Sequence, residues 1–452
     1  MAKNRVPEQD GQPAQTDRTE ERGWSGGSAN ETGRDGQPGR PGMDQQPNPR
    51  PGKDARTERP ELPERPAGLG GPEKDGQPER TGKDMRMVQP ELAGKPVQSG
   101  KDARTEQPDR TGKAAGRALP RHLLVLRTSA MGDVAMLPHA LRALKAAYPD
   151  LRITVATQPK FRPFFGGLDV EFLDVNTKGA EHSLAGMWRL AREARRRGVD
   201  AVADVHGVMR SEAFSLSMRL HGVPVAAIDK GRREKRRFIR EGGRRAEPLR
   251  HTVLRYCDVF RRLGFACDDP RPAVPRERPN PFGTKHGVWV GFAPFSAHPG
   301  KTYPAEQRRE VVRLLAGRYE RVFIHSGGGA EAAFAEEMER TYPNVTALWG
   351  KVRFEGEMDL LSHLDCVVAM DSLVMHLASL VATPVVSVWG ATHPGLGFAG
   401  WGCDSQLVLQ ADLACRPCSV YGAKPCRYGD YRCLRAVTPE MIADKVAETV
   451  GR

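Results

Sequence analysis

Two polar turns, each between an apolar run and a helical pattern, hold the residues best suited to chemistry. In the second turn, Asp371 and Ser372 follow the apolar run 366–370, and His376 lies four residues beyond Ser372. A buried strand that ends in such a turn places polar groups at the amino end of a helix. Free N–H groups and the helix dipole favour anions there. This turn therefore predicts a binding site for an anionic ligand such as a phosphate.

The first turn lies about 240 residues upstream. Residues 127–133 join the apolar run 123–126 to a helical pattern over 134–148. Asp133, next to Gly132, is a candidate general base for a hydroxyl proton. Aspartate is also a leading N-cap residue, so the alternative that Asp133 only caps a helix beginning at residue 134 stays open. Two such turns, one in each half, predict two domains that face each other across a cleft.

Regular alternation of strands and helices supplies the elements that position these turns. The first half shows strand patterns at 123–127, 153–157, 170–175, 201–205 and 225–228, and the second half at 288–293, 322–325, 345–348, 366–370, 385–389 and 406–409. This order predicts an α/β protein with two doubly wound parallel sheets. The predicted domains cover residues 119–280 and 281–452, with the Pro-rich and charged segment 268–286 as linker.

Residues 1–118 differ from the rest in composition. They are rich in Pro, Gly, Gln and charged residues, with almost no aromatic or β-branched residues, which predicts a disordered low-complexity tail. The tail has no apolar core of a signal peptide, and no run of 18 apolar residues occurs in the chain. We therefore expect a cytoplasmic protein. Peripheral contact with the inner face of the cytoplasmic membrane stays open.

The net charge of +13 arises outside this tail. Residues 1–120 carry 21 basic and 20 acidic side chains, and the remainder carries 48 and 36. The densest cluster lies in a predicted loop after the strand at 225–228 and contains Lys230, Arg232, Arg233, Lys235, Arg236, Arg237, Arg240, Arg244 and Arg245. Few aromatic residues interrupt it, so we expect no nucleic acid partner. A solvated surface and contact with lipid headgroups or acceptor phosphates, through Arg232, Arg233, Arg236 and Arg237, both stay open.

Several short motifs, taken in order, resemble glycosyltransferase family 9, the heptosyltransferases that build the inner core of lipopolysaccharide. They are the segments 128–133 (TSAMGD) and 204–207 (DVHG), Lys301, Asp371 and Ser372 with His376, and Thr383 and Pro384. The resemblance extends from about residue 121 to the carboxyl terminus. It implies the GT-B architecture of two Rossmann-like domains and an inverting transfer from a nucleotide sugar, usually ADP-heptose. The implied acceptor is a lipopolysaccharide core or lipid A-type molecule.

The resemblance also implies roles for individual residues. Asp133 matches the aspartate proposed as the general base, and Lys301 matches a lysine that neutralises the departing diphosphate. The candidate donor-binding residues in the matching turns are Ser129, Gly132, Asp371, Ser372, Leu373, Val374 and His376. Glu331 is a further candidate, as a ribose ligand, from its place in the glycine-rich strand-to-helix turn 327–331 and not from the resemblance. Family members usually have glycine at the position of Leu373, so the space for a diphosphate is narrower in this chain. The family generally works without a catalytic metal or other cofactor.

Four of the eight cysteines form a separate cluster near the carboxyl terminus. The spacing of Cys415, Cys418, Cys426 and Cys433 suits a tetrahedral structural zinc site. Disulfides are the rival interpretation, although a protein without an export signal is expected in a reducing compartment. A structural metal and simply reduced thiols both stay open.

Two other classes of function are compatible with these motifs. A GT-B-like nucleotide-sugar epimerase would turn over the sugar nucleotide without an acceptor. A non-catalytic protein that binds nucleic acid or another anionic ligand would depend on the basic cluster and show a steep dependence on salt. The family resemblance favours the transferase over both.

Overall fold

The first half of the folded chain forms a parallel sheet covered by helices on both faces. The computed structural model of the protein describes residues 118–243 and 247–451. The sheet has the order β3-β2-β1-β4-β5, with β1 His122–Leu126, β2 Arg152–Thr157, β3 Glu171–Asp174, β4 Ala201–Asp204 and β5 Val225–Ala227. β1 is buried along its whole length, as expected for a central parallel strand. Its last residue, Leu126, is in register with Asp204 at the end of β4.

Five helices belong to this amino-terminal lobe: α1 Met131–Ala147, α2 Leu184–Arg196, α3 Met209–Leu220, α4 Arg232–Arg240 and α5 Thr252–Arg262. Side chains of α1 and α5 share one buried cluster with β1. Side chains of α2 and α3 pack into another cluster, with Leu124 and Leu126 of the same strand. The helix pairs α1 with α5 and α2 with α3 therefore cover opposite faces of the sheet.

The second half repeats this architecture as the carboxyl-terminal lobe. Its sheet has the order β11-β10-β9-β6-β7-β8, with β6 Trp289–Ala293, β7 Arg321–Ile324, β8 Val345–Ala347, β9 Cys366–Met370, β10 Val385–Trp389 and β11 Val408–Gln410. The helices are α6 Ala305–Ala316, α7 Ala330–Thr341, α8 Phe354–His363, α9 Leu373–Leu380, α10 Arg432–Arg435 and α11 Pro439–Val450. All strand pairs in both sheets are parallel, which confirms the predicted fold class.

Three expectations about local structure need correction or fall outside the described chain. The basic cluster after β5 is not a loop: residues 232–240 form α4. Helix α1 begins at Met131, three residues before the predicted start. The predicted tail, except for residue 118, and the arginines at 244 and 245 lie outside the described residues.

Helix α4 is amphipathic, although its many charged residues make this pattern hard to recognise in the sequence. Lys235 and Phe238, three residues apart, are buried, while the arginines at 232, 233, 236, 237 and 240 are exposed. The Phe238 ring lies 5.4 Å from the His393 ring of the other lobe, measured between centroids. Helix α4 thus stabilises the contact between the two lobes with its apolar side and presents its arginines to solvent.

Three histidines lie where the lobes meet: His139 and His376 are buried, and His251 is partly buried. His139 of α1 is 3.3 Å from the Ser379 hydroxyl of α9, and the His251 ring packs on Trp401 with centroids 4.8 Å apart. His376 of α9 lies against Gly132 of α1. Burial lowers the pKa of His139 to about 3 and that of His251 to about 4. Burial also lowers the pKa of His376. The lobes are therefore joined through imidazoles that favour the neutral state.

No helix within the described ranges is long and apolar enough to cross a bilayer.

We predict that acidification destabilises the folded protein between pH 7.5 and 5.5. In that range a histidine with an ordinary pKa of 6.5 takes up a proton in the unfolded chain, whereas His139 stays neutral in the folded chain. Stability is therefore complete above pH 6.5 and falls as the pH approaches the folded-state value. Each such histidine costs about 1.4 kcal/mol over this range. The measurement is the free energy of unfolding in urea at both pH values.

His139→Leu should lose about 1.4 kcal/mol less than the unchanged protein between pH 7.5 and 5.5. Ser379→Ala is the matched control, because it removes the same hydrogen bond and keeps the titrating imidazole. An identical pH dependence for His139→Leu and the unchanged protein would contradict the assignment.

Candidate active site

The two predicted polar turns meet across the boundary between the lobes. A Cβ atom added to Gly132, in the first turn of α1, would lie 2.8 Å from Cδ2 of His376 in α9. Only a glycine fits there without displacing the imidazole. The turn after β1 and the turn after β9 are thus in direct contact, as the sequence predicts for a shared cleft.

Asp133 projects from the first turn of α1 and does not cap the helix. Ala130 is the N-cap residue, and no side chain makes a capping hydrogen bond there. The Asp133 carboxylate pairs with the Arg127 guanidinium and is 36% exposed. The Tyr256 hydroxyl donates a hydrogen bond of 2.9 Å to the backbone carbonyl of Asp133. The capping interpretation is therefore wrong, and the carboxylate is fixed yet accessible from the cleft.

Arg127 connects this carboxylate to the neighbouring strand. Its Nη1 donates a hydrogen bond of 2.5 Å to the Val205 carbonyl, directly after β4. Asp204 braces that turn by accepting hydrogen bonds from the backbone N–H groups of His206 and Gly207, at 3.0 and 2.8 Å. Burial lowers the pKa of Arg127, but Tyr256 and Asp133 raise it by more. The arginine is thus a stable buried cation that orients Asp133.

On the opposite lobe, Lys301 and Asp371 form a second ion pair. Lys301 ends a short 3-10 turn, Pro299–Lys301, and its Nζ lies 3.4 Å from an Asp371 carboxylate oxygen. The Thr392 hydroxyl donates a hydrogen bond of 2.8 Å to the same oxygen of Asp371. Asp371 is not a helix cap, because Ser372 occupies the N-cap position of α9. The lysine is thus held next to the amino end of α9.

The amino end of α9 combines free backbone donors with two polar atoms that have no partner. Leu373 and Val374 form the first turn, whose N–H groups have no acceptor within the helix. The Ser372 hydroxyl and His376 Nδ1 are buried, and neither has a hydrogen-bond partner in the part of the chain that the structure describes. Buried polar groups without partners are uncommon, so these atoms are suited to contact a bound ligand.

This geometry is accompanied by a family match. The family described as glycosyltransferase family 9 (heptosyltransferase) matches residues 187–429, more than half of the chain. The chain belongs to this family. It is therefore a glycosyltransferase, with the two Rossmann-like sheets of the GT-B architecture, and the resemblance inferred from the motifs is confirmed.

Relatives of this family 9 transferase are similar over both lobes. Lipopolysaccharide heptosyltransferase 1 of Escherichia coli (strain K12) is 25% identical over 311 residues, which are 64% of this chain and 93% of the relative. The protein of the same name from Pseudomonas aeruginosa is 25% identical over 329 residues, 68% of this chain and 87% of the relative. The matched segment thus covers most of the length of both relatives.

Solved structures show the same fold at lower identity. The family 9 glycosyltransferase from Veillonella parvula DSM 2008 superposes with a TM-score of 0.57 at 18% identity, covering 73% of this chain and 97% of that one. E. coli heptosyltransferase WaaC with ADP-2-deoxy-2-fluoro heptose superposes with a TM-score of 0.53 at 20% identity, covering 72% of this chain and 99% of that one. These similarities confirm the fold of the family 9 transferase.

Two other predicted donor-binding residues of the family 9 transferase lie outside the contact between Gly132 and His376. Ser129 is exposed in the turn between β1 and α1. Glu331, in the first turn of α7, accepts a hydrogen bond of 2.8 Å from the backbone N–H of Gly327. That bond uses one of its carboxylate oxygens to brace the turn after β7. Glu331 therefore has a local structural partner as well as its predicted role toward a ribose.

Trp349 is a candidate ligand contact that the sequence patterns did not single out. It follows β8 and is 55% exposed, and its ring lies against Gly328 in the turn after β7. A large aromatic ring exposed at the carboxyl ends of two strands is suited to stack on a planar ligand. The sequence indicates such a role only through the position of Trp349, two residues after the short strand β8.

The four arginines predicted to contact an acceptor or a membrane lie on α4. Three of them, Arg232, Arg233 and Arg236, line an open cavity of about 580 Å³, which also borders Lys230, Gly207 and Glu212. Burial lowers the pKa of Lys230, as do the charges of Arg127 and Arg232, while Asp133 raises it. The lining of the cavity holds these four basic side chains together with three acidic ones, Glu212, Asp229 and Glu234. Lys230 connects the cavity electrostatically to the Asp133 carboxylate.

Lys235, which the sequence indicated only as a member of the basic cluster, is a second lysine near Asp133. It is buried on α4, and its Nζ lies 5.0 Å from the centroid of the Phe398 ring in the other lobe. Burial lowers its pKa to about 8, with a further lowering by Arg255 and an opposing effect of Asp133. Lys230 and Lys235 together give the amino-terminal side of the cleft a positive potential.

The four clustered cysteines are neighbours in space but do not form a metal geometry. Burial raises the pKa of the Cys433 thiol to about 11, against the effect of Arg416, and the nearby thiols of Cys418, Cys415 and Cys426 add to the increase. Over the described ranges, no three His, Cys, Asp or Glu side chains are arranged to hold a metal ion. A preformed tetrahedral zinc site is thus not seen among these four cysteines.

We predict that Gly132→Ala destabilises the protein through His376. Alanine in a helix is favoured over glycine by about 1 kcal/mol, but its Cβ would overlap the imidazole. Overpacking of this kind costs about 1–3 kcal/mol, so the free energy of unfolding should fall. In a His376→Ala background the same substitution should be neutral or stabilising. Equal losses in both backgrounds, measured by urea denaturation, would show that the contact is unimportant.

Proposed function

We propose that this family 9 transferase moves heptose from ADP-heptose to a lipopolysaccharide core acceptor, with inversion at the anomeric carbon. The convergence of Gly132 and Asp133 of one lobe with His376 of the other, next to the Lys301–Asp371 pair, carries the proposal. The similarity to proteins named lipopolysaccharide heptosyltransferase 1 supports this choice of donor and acceptor. Membership of a transferase family favours it over an epimerase or a non-catalytic binding protein.

In the proposed reaction Asp133 is the general base. The acceptor oxygen forms a bond to the anomeric carbon of the heptose as the bond from that carbon to the diphosphate oxygen breaks. The acceptor proton passes to the Asp133 carboxylate, and ADP leaves with the electron pair. Arg127 is a positioning residue, because it orients Asp133 from a buried site and does not itself reach the cleft.

The departing diphosphate is assigned to the amino end of α9 and Lys301. A helix amino end offers N–H donors and a partial positive charge where negative charge develops. Asp371 holds Lys301 in place, but the 3.4 Å between Lys301 Nζ and the Asp371 carboxylate oxygen is longer than a close ion pair. Its ammonium group can therefore turn toward a phosphate oxygen. Ser372 and His376 supply the remaining polar contacts with donor phosphate and sugar.

The nucleoside is assigned to the turns after β7 and β8. The exposed Trp349 ring offers a stacking surface for adenine, and Glu331 offers a carboxylate to the ribose hydroxyls. Ser129 and Gly132 approach the donor from the other lobe. Leu373 keeps its backbone N–H for the diphosphate but restricts how closely the ligand approaches.

The acceptor is assigned to the cavity beside α4 and its exposed arginines. Arg232, Arg233, Arg236 and Arg237 are exposed, and guanidinium groups bind phosphates through paired hydrogen bonds. Lys230 lines this cavity and is within electrostatic reach of Asp133. An acceptor whose phosphates occupy the cavity would bring a sugar hydroxyl toward the base.

The central prediction is that Asp133→Asn lowers the turnover rate by roughly 10²–10⁴-fold, because it removes the proton acceptor and keeps the side-chain size. ADP affinity should change little, since the proposed nucleotide contacts lie mainly on the other lobe. Turnover with ADP-heptose and acceptor, ADP affinity and melting temperature are measured on the one variant. Near-normal turnover would rule out Asp133 as the base.

Arg127→Met is the comparison variant for this experiment. It breaks the same ion pair but keeps the carboxylate. If Asp133 is the base, Arg127→Met should retain more turnover than Asp133→Asn even where both lose stability. Equal turnover losses in the two variants would mean that the ion pair, and not the carboxylate, is what catalysis requires.

Replacing Arg232, Arg233, Arg236 and Arg237 by Gln should raise KM for a phosphorylated acceptor by at least about 10-fold, since each basic residue near an anionic surface contributes about 1 kcal/mol. ADP affinity should stay unchanged. The matched control replaces four exposed arginines of the other lobe: Arg309, Arg313, Arg318 and Arg340. An unchanged KM for the acceptor would leave the α4 arginines as a solvated surface.

We further propose that Cys415, Cys418, Cys426 and Cys433 bind a structural zinc ion after a small rearrangement. The buried Arg416, whose guanidinium donates to the carbonyls of Gly390, Ala411 and Thr392, lies among these thiols. Its charge would offset the negative charge of a zinc-bound thiolate group. Zinc here would fix the loop after β11 and take no part in the transfer step.

Purified protein should then contain about one equivalent of zinc per chain and lose melting temperature with a strong chelator. Cys415→Ser with Cys418→Ser should abolish zinc content, whereas Cys403→Ser, outside the cluster, should not. Metal-free protein with the melting temperature of untreated protein would eliminate the zinc site.

A further inference from the structure

The outer surface of α2 and α3 exposes an unusual group of large apolar side chains. On their inner sides, Met187 and Leu190 of α2 and Phe214 and Met218 of α3 pack into the core of the amino-terminal lobe. On the outside, or at the helix ends, five large apolar side chains are between 42% and 83% exposed: Leu184, Trp188, Met209, Leu216 and Leu220. These five side chains are called the α2–α3 patch.

The spacing of these residues groups them on each helix. Leu184 and Trp188 are four residues apart on α2, and Leu216 and Leu220 are four residues apart on α3, so each pair lies on one side of its helix. The helices run side by side in the same direction, because each follows one parallel strand and precedes the next. The other exposed large apolar residues of the described ranges come from separate segments: Leu119, Met131, Val274, Trp349, Tyr421 and Tyr428.

The charge around the patch is strongly positive. Helices α2 and α3 carry six arginines and two glutamates, and Arg189, Arg192, Arg196 and Arg219 are exposed. One glutamate, Glu193, is already paired with Arg197. The wider sequence shows the same bias: residues 121–280 carry 31 basic and 18 acidic side chains, whereas residues 281–452 carry 17 and 18. The positive charge of the folded chain therefore belongs to the lobe that carries the patch.

We propose that the α2–α3 patch is a membrane-docking surface for an anionic lipid bilayer. Leucine, methionine and tryptophan side chains flanked by arginines are the composition of surfaces that lie in the interface of a bilayer. The leucines and the tryptophan insert among the acyl chains near the headgroups, and the arginines bind the anionic headgroups. The inference rests on the proposed function insofar as a lipid-linked acceptor gives this docking its purpose.

The position of the patch agrees with delivery of such an acceptor. The amino ends of α2 and α3 follow the carboxyl ends of their strands, on the side of the sheet where Asp133 lies. Glu212 of α3 and Gly207, just before it, border the same cavity as the α4 arginines. A bilayer against the α2–α3 patch therefore lies beside the entrance of the proposed acceptor cavity.

A second copy of the chain is a poorer occupant of this surface. A twofold contact would bring two patches with the same excess of arginines against each other, and like charges at close range oppose association. An anionic bilayer instead neutralises those charges over a broad area. Charge complementarity therefore favours lipid over self-association.

The test compares vesicle binding of the full-length protein and three variants. The patch variant carries Trp188→Gln, Leu216→Gln and Leu220→Gln, all at exposed positions where folding should be unaffected. The matched control carries Leu119→Gln and Val274→Gln. The third variant carries the four Arg→Gln changes on α4. Vesicles of phosphatidylcholine with and without phosphatidylglycerol, and without any acceptor, are sedimented with each protein.

We expect the unchanged protein and the Leu119/Val274 control to bind the phosphatidylglycerol vesicles, and the patch variant to bind at least 10-fold more weakly. Fluorescence of the unchanged protein should be quenched by brominated acyl chains, and Trp188→Phe should lose most of that quenching. Equal binding by the patch variant and the unchanged protein would overturn the proposal. So would loss of binding in the α4 variant alone, or a dimer in light scattering that dissociates in the patch variant.

Turnover with a water-soluble acceptor fragment separates this inference from the proposed function. The patch variant should retain normal turnover on that fragment. If the unchanged protein binds vesicles through Trp188 but transfers no heptose to any acceptor fragment, the docking surface stands and the proposed function fails. If it transfers heptose but the patch variant binds vesicles normally, the proposed function stands and the docking surface fails.

Discussion

The buried guanidinium of Arg127 is the constraint on which the active site depends. It lies directly after the central strand β1, where the cost of removing a cation from water must be offset by hydrogen-bond acceptors and negative charge around it. The Val205 carbonyl, the Tyr256 ring and the Asp133 carboxylate supply it. Since Val205 follows β4 and Tyr256 belongs to α5, one side chain fixes a strand end, a helix and the candidate base. The carboxylate stays accessible although its partner is buried, which is what a proton acceptor at a cleft requires.

A second constraint is the fit between the lobes. Gly132 leaves room for His376, and the neutral His139 and His251 join α1 and α5 to the other lobe without introducing charge. Helix α4 adds Phe238 against His393. The distance from Asp133 to the proposed anion site at α9 is therefore set by packing between the lobes as much as by either fold alone. A donor held by one lobe and an acceptor held by the other can react only if this packing is correct.

The sequence predicted the parts of the site that depend on topology. In a parallel sheet the residues after each strand gather at one edge, so Asp133, Lys301, Asp371 and His376 could be placed from strand patterns and family motifs. It could not separate a helix cap from an ion pair at Asp133, because the deciding partner, Arg127, appeared only as the end of a strand. Helix α4 was missed because its buried residues, Lys235 and Phe238, contact segments more than 150 residues away, and the dense charge obscured their spacing.

The two lobes differ in how their positive charge is distributed. The proposed donor has one small dianionic group, and the carboxyl-terminal lobe, which is nearly neutral overall, would bind it with Lys301 and the amino end of α9. An acceptor that carries several phosphates and belongs to a lipid surface presents charge over a wide area. The amino-terminal lobe accordingly distributes its positive charge over α4 and over the exposed faces of α2 and α3. A charge confined to one site suits a group that must be bound and released in each turnover. Charge spread over a wide area suits binding to a lipid surface, on which an enzyme can stay while its substrates change.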